Sequence, residues 1–168
     1  MTNSIYFYIT RLSPWGYMGV VCEGTTLLRI DVKSSLEELH LFLLSHYPLM
    51  EQSNILKTIA DEVIHLIHNP TYVIHNAYRL EGTVFQQKVW HAILTIPVGS
   101  VKTYQVIAQE IRHTRAVRAV GTACGANPLP FIVPCHRVVG SSGKLGGFGL
   151  GIEFKRELLA KEGITYFL

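Results

Sequence analysis

Cys135 stands between Pro134 and the polar pair His136-Arg137, directly after the apolar run Phe131-Ile132-Val133. A run of that kind reads as a short buried segment, and prolines on both sides stop it from continuing as a helix. The sequence therefore lifts a thiol out of a packed floor at a rigid turn. Sulfur nucleophiles act as thiolates, and a free cysteine is only roughly 3% ionised at neutral pH. His136 is a titratable neighbour able to take the proton, and Arg137 adds positive potential expected to lower the thiol pKa. In an extended segment neighbouring side chains point to opposite faces, so joining Cys135 to His136 takes a turn or one bridging water. The competing reading is a buried structural cysteine beside a surface histidine.

The elements around this segment divide at about residue 80. In the second part, 81–168, Thr83-Val-Phe-Gln86 is a capping box that opens a helix to about Thr95, with Phe85, Val89 and Ile93 on its buried side. Thr103 can cap a helix over about 104–111. Arg112-His113-Thr114 reads as a tight polar turn, and a further helix runs from Arg115 to about Gly125, giving a helix-turn-helix. That last helix is built almost entirely of small residues. Val117, Val120 and Cys124 should face the core, with Arg115, Arg118 and Thr122 opposite and Ala119 and Gly121 beside them. A base-reading helix in the major groove carries several long polar side chains. This flat surface suits close backbone approach and the minor groove. Gly140 to Gly151 holds six glycines in twelve positions. No Lys-Ser/Thr follows as a phosphate loop requires, and the loop fits best as one closing over a flat ligand, with Phe148 able to stack on it. The final helix, about 152–162, leaves Glu162 in its last turn, where the helix dipole disfavours a carboxylate.

The first part, 1–80, reads as a scaffold. Segments 5–10, 17–22 and 26–32 are rich in β-branched and aromatic residues and should form an antiparallel meander. Ser34-Ser-Leu-Glu37 offers a capping box for a helix to about His46, and a second helix, about 54–68, should bury Ile55, Ile59, Val63 and Ile67. Residues 72–80 read as a linker with a short extended piece. His65 and His68 lie three apart on one helix, but no carboxylate set or Cys-x-x-Cys accompanies them, so solvated histidines and no metal are expected.

Composition narrows the function classes. No apolar window is long enough to span a membrane, and the first six residues lack the basic and apolar regions of an export signal. Three cysteines without framework spacing suit a reducing cytosol, so a cytoplasmic location is expected, nucleoid-associated or, in a eukaryote, nuclear. The first 80 residues carry five Lys/Arg against seven Asp/Glu, and the rest carry ten against five. A basic second part beside a mildly acidic first one points to a polyanionic partner for the second.

Pro134-Cys-His-Arg-Val138 resembles the active-site signature of the O6-alkylguanine-DNA alkyltransferases, the methylated-DNA–protein-cysteine methyltransferases. The resemblance extends over most of 82–163. It takes in Gly82-Thr-Val-Phe-Gln86, Val89-Trp90, Ile96-Pro97 with Gly99, Thr103-Tyr104, Arg118-Ala-Val-Gly121, Asn127-Pro128 and Lys161-Glu-Gly163. It implies an α+β fold: a small N-terminal antiparallel sheet with helices, ribonuclease-H-like, and a mostly helical, winged-helix-like C-terminal domain. The activity it implies is irreversible, cofactor-free alkyl transfer from O6-alkylguanine in double-stranded DNA to Cys135, by a monomer consumed in one event. His136 would act through water, oriented by Glu162. Tyr104 would promote flipping and give a proton, and Asn127 would be a hinge. Arg118 would enter the base stack, with Thr103, Tyr104, Arg115, Ala119 and Thr122 as further DNA contacts. Cys124, Pro130, Val138, Phe148 and Gly149 would form the substrate pocket. Phe148 stands where many relatives have tyrosine, and Gly149 where some have serine. Three other readings compete: a protein that only flags lesions, which in this family lacks the cysteine; a winged-helix regulator; and a Cys-His hydrolase.

Overall fold

A computed structural model describes residues 4–141 and 143–166. Expectations that touch residues 1–3, and Ser142 within the glycine-rich loop, lie outside the described residues. The chain divides into two compact units, one of Met1–Leu66 with Tyr72–Leu80, the other of Ile67–Thr71 with Glu81–Leu168.

In the first unit, strands β1 (Ile5–Leu12), β2 (Gly16–Glu23) and β3 (Thr26–Lys33) pair antiparallel in chain order. A two-residue strand missed in the sequence, β4 (Glu51–Gln52), adds parallel to β1, giving the order β3-β2-β1-β4. Two polar residues carry no alternation, so nothing local announced it. Helix α1 (Leu36–His46) lays Leu39 and Leu43 against Phe7 and Val21. Its cap is Ser35, which accepts from Glu38 N, one residue later than the expected Ser34–Glu37 box; Ser34 instead donates to the Glu38 carboxylate. Helix α2 (Lys57–His68) follows a short 3-10 turn and buries Ile59, Val63 and Ile67, but Ile55 is 77% exposed. Ile55 lies in the 3-10 turn, where three residues per turn swing it off the α-helical stripe. Glu62 on α2 ties down the following segment, accepting from Tyr72 Oη, His75 N and Asn76 Nδ2. The expected linker is in part extended, with Leu27 N donating to Ala77 O and Arg79 N to Leu27 O.

In the second unit, α3 (Val84–Leu94) starts with the expected capping box: Gln86 N donates to Thr83 Oγ1, and Thr83 N to Gln86 Oε1. Buried Trp90 donates from Nε1 to Ala123 O at 2.8 Å, fixing α3 against α5 (Val117–Gly125). Helix α4 (Tyr104–Glu110) is capped by Thr103 and joins α5 through residues 111–116. This connection is longer than the expected three-residue turn. Arg112 takes a left-handed conformation (φ 58°), and Arg115 precedes the helix rather than opening it. Ile107 and Val120 are fully buried, and each such side chain stabilises by roughly 1.5–3 kcal/mol. A two-rung parallel ladder joins β5 (Lys102–Thr103) to β6 (Val138–Val139). It sets the start of α4 beside the chain leaving the Cys135 turn. Helix α6 (Ile152–Lys161) closes the unit, with Glu162 just past its end. Among the described residues no helix is long and apolar enough to cross a membrane.

Candidate active site

Asn127 builds the entry to the site. Its Oδ1 accepts from Leu129 N at 3.0 Å, and its Nδ2 donates to Val133 O at 2.9 Å, so one amide ties both ends of the 127–133 loop. Phe131 is held at φ 76°, a conformation that costs a non-glycine residue roughly 1–3 kcal/mol. Pro134 then leads into a single 3-10 turn, Cys135–Arg137, which supplies the bend needed to bring thiol and imidazole out of an extended alternation. Asn127 Nδ2 also donates to Cys135 Sγ at 3.2 Å. The hinge expected from sequence thus touches the sulfur directly.

The acid, base and cation converge from two elements, the end of α6 and the Cys135–Arg137 turn. Glu162 Oε1 accepts from His136 Nε2 at 2.8 Å; Arg137 Nε donates to Oε1 at 3.1 Å and to Oε2 at 3.0 Å, and Arg137 Nη2 to Oε1 at 3.0 Å. Gly99 N donates to Oε2 at 3.2 Å. A carboxylate disfavoured by its helix end is thereby stabilised by four donor groups. Burial alone would raise its pKa, but the bonds from His136 and Arg137 outweigh burial and hold it near 2. Burial pushes His136 down despite Glu162, so the ring is neutral at neutral pH. With Nε2–H committed to Glu162, the basic lone pair sits on Nδ1, a buried atom with no partner among the described residues.

Arg137 does not play the expected part. Its remaining donor goes to Ile96 O at 2.7 Å, and its charge is spent on Glu162. Burial pushes the Cys135 thiol up, opposed by the Asn127 bond and by the charge of Lys155. The resting pair is therefore thiol and neutral imidazole, and the cation that acts on the sulfur is Lys155. Lys155 is fully buried, donating from Nζ to Val138 O at 2.6 Å, Leu145 O at 2.7 Å and Gly147 O at 3.3 Å. Those carbonyls belong to the strand after the Cys135 turn and to the glycine-rich loop, which Lys155 pins together. Burial drives its pKa down to about 8, with Cys135 and Cys124 pulling the other way. The sequence reading passed it over, although it stands four residues before buried Leu159 and three before Leu158, on the apolar stripe of α6.

A cavity of about 390 Å³ opens above the thiol, lined by Tyr104, Gly121, Cys124, Cys135, Phe148 and Gly149 among others. Tyr104 Oη donates to Gly147 O at 3.3 Å, and burial, then the two thiols, push the phenol to about 12, so it remains a proton donor. Gly146 (φ 72°) packs on the same ring; a Cβ there would fall 2.8 Å from Tyr104 Oη. Pro130 and Val138, expected in the pocket, are buried outside this lining: Pro130 bridges to Val133, and Val138 pairs with Lys102 in the β5–β6 ladder.

On α5, Arg118, Ala119 and Thr122 are exposed, as is Arg115 ahead of it, while Val120 and Ala123 are buried. Cys124 and Val117, expected in the core, are only half-buried, because Ala123 takes the inward position and Cys124 turns to the cavity. On α2 His65 and His68 are exposed, His65 lying edge-on to Tyr72 at 4.5 Å.

Residues 84–164 match the model of the 6-O-methylguanine DNA methyltransferase DNA-binding domain. The chain is 58% identical over 83 residues to the methylated-DNA–protein-cysteine methyltransferase of Mycobacterium tuberculosis, 49% of this chain and 50% of that protein. It is 50% identical over 86 residues to the Haemophilus influenzae protein of the same name, 51% of this chain and 48% of that one. These matches span about half the length of the curated relatives. The crystal structure of Mycobacterium tuberculosis OGT in complex with DNA superposes with a TM-score of 0.77 at 35% identity, covering 94% of this chain and 92% of that one.

Proposed function

The chain belongs to the O6-methylguanine-DNA methyltransferase family, and from that premise we propose that it repairs duplex DNA by taking alkyl groups from O6 of guanine onto Cys135. In this reading the first unit is a ribonuclease-H-like scaffold and the second a winged-helix-like domain whose helix-turn-helix, α4 and α5, lies along the minor groove. The small residues of α5 let the backbone approach closely, while Arg115, Thr122 and Thr103 contact the strand. Arg118 enters the stack as the damaged nucleotide swings out. Flipping costs a few kcal/mol, and less for a weakened pair, so alkylated guanine is favoured from the start.

The extruded base fills the cavity with Phe148 against its face and its alkyl carbon toward Sγ. A water on His136 Nδ1 passes the thiol proton to the imidazole, and Glu162, ionised and buried, stabilises the imidazolium. Asn127 Nδ2 and the Lys155 cation stabilise the negative charge that develops on sulfur. The S–C bond forms as the C–O bond breaks, and guanine, leaving as an anion, takes a proton from Tyr104. The thioether has no leaving group, so each chain acts once. A free reactive thiol requires a reducing compartment, so in this reading the protein works in the cytoplasm, as a monomer.

The observation that carries this reading is a thiol on the floor of a nucleobase-sized cavity, hydrogen-bonded to Asn127 and followed in sequence by a histidine whose basic nitrogen is buried with no partner among the described residues. Mixing the protein with a large excess of duplex containing O6-methylguanine tests it. Repaired guanines should rise to one per chain and stop. Continued turnover would contradict the scheme.

A further inference from the structure

Alkyl transfer uses one sulfur, yet two line the cavity. Cys124, in the last turn of α5, and Cys135 both contribute to its wall. One residue touches them both: Asn127 N donates to Cys124 O at 3.3 Å, and Asn127 Nδ2 donates to Cys135 Sγ at 3.2 Å. Burial first, then a thiolate on Cys135, push the Cys124 thiol to about 12, while the Lys155 cation draws both thiols down, a counter-charge that Cys22 lacks. A disulfide needs its two Cα atoms within about 7 Å.

We infer that Cys124 is a resolving thiol for Cys135, and that the two sulfurs form a reversible oxidation site for hydroperoxides. A hydroperoxide oxidises the Cys135 sulfur by two electrons. The S–O bond forms as the O–O bond breaks, water or an alcohol leaves, and a sulfenic acid remains. Cys124 then attacks that sulfur: the S–S bond forms, the S–O bond breaks, and water departs with the Cys124 proton. Two equivalents of a thiol reductant return both cysteines and become a disulfide themselves. The bridged state offers no nucleophile to a flipped base, and it keeps Cys135 from advancing to the irreversible sulfinic acid. A common cavity favours this capture, because a tethered thiol competes with outside oxidant at high effective concentration. Cys22 lies in the sheet of the first unit, fully buried.

The test uses the full, reduced chain without DNA, treated with hydrogen peroxide, trapped with iodoacetamide and mapped by non-reducing peptide mass analysis. The expected product is a chain lighter by two hydrogens, with the Cys124 and Cys135 peptides joined and both thiols recovered by dithiothreitol. Cys124→Ser and Cys124→Ala should each accumulate sulfinic acid on Cys135, with about tenfold less thiol recovered; Cys22→Ser should still form the bridge. Equal sulfinic acid in wild type and both Cys124 variants would overturn the inference, as would a bridge to Cys22 or between chains. Because the readout is sulfur oxidation, its failure leaves methyl uptake from DNA intact, and the two readings fail separately.

Discussion

Cys22 and Cys135 are the same side chain in two kinds of surroundings. Cys22, on β2 of the first unit, is fully buried, and burial alone pushes its thiol to about 12. Cys135 is nearly as buried, and burial raises it too, but there an amide at 3.2 Å and a buried lysine charge oppose the effect. A cysteine in apolar packing is inert sulfur. What distinguishes the second site is a set of groups that favour the anion inside the same low-dielectric surroundings, beside a neutral base that can accept the proton. Each of those groups has a structural cost, and removing them one at a time should turn the second site toward the first.

The largest effect is expected from Cys135→Ser, which should abolish methyl uptake from alkylated duplex, by about three orders of magnitude or more in rate. Cys22→Ser should leave uptake near that of wild type, read by transfer of labelled methyl from duplex to protein. Next comes Glu162→Gln. It leaves Arg137 buried without its carboxylate and weakens the hold on His136, so a stability loss of about 3–5 kcal/mol is expected from urea unfolding, together with slowed transfer. The pH dependence of that contribution has a definite sign. The carboxyl is held at about 2 against an ordinary 4.5, so its stabilisation is complete above pH 4.5 and is lost as pH falls from there toward 2. The shift corresponds to about 3 kcal/mol. Unfolding curves of wild type should show this acid slope, and those of Glu162→Gln should lack it.

Lys155→Met is expected to slow transfer about 100-fold, as removal of one preorganised charge-stabilising group does elsewhere. Its pKa of about 8, below the ordinary 10.5, means the cation is lost early on the alkaline side. Wild-type transfer should therefore decline as pH rises through about 8, and the variant should show no such limb. For stability the slope has the same sign as for Glu162, rising with pH: holding the buried ammonium costs free energy below pH 8, and that cost is relieved between 8 and 10.5. Smallest is Arg118→Ala, expected to weaken duplex binding about tenfold, nearly equally across undamaged sequences, with the salt slope reduced by about one. A loss confined to particular sequences would favour base reading over minor-groove docking.

Much of this site was legible because its parts are local. The Thr83–Gln86 box, the Thr103 cap and the β1–β3 meander follow from spacing and turn chemistry within a few residues. Cys135, His136 and Asn127 carried their own signature, and the poor placement of Glu162 at a helix end invited a search for partners. The misread parts depend on contacts between distant segments. Arg137 is two residues from the thiol in sequence, yet its charge goes to Glu162, 25 residues on. Lys155 looks like one more helix lysine until its three carbonyl partners are seen, although its place on an apolar stripe was a usable signal. Pro130 and Val138 are buried, and sequence spacing does not say which buried residues border the cavity. The β5–β6 ladder has two rungs, too few for any periodicity, and β4 is hidden for the same reason.

Peptide mapping of the protein after one equivalent of O6-methylguanine duplex is the most direct measurement. The account predicts the mass of one added methylene on the peptide bearing Cys135, with those bearing Cys22 and Cys124 unchanged. Methyl groups on another residue, or complete repair of the duplex with Cys135 recovered as free thiol, would contradict it.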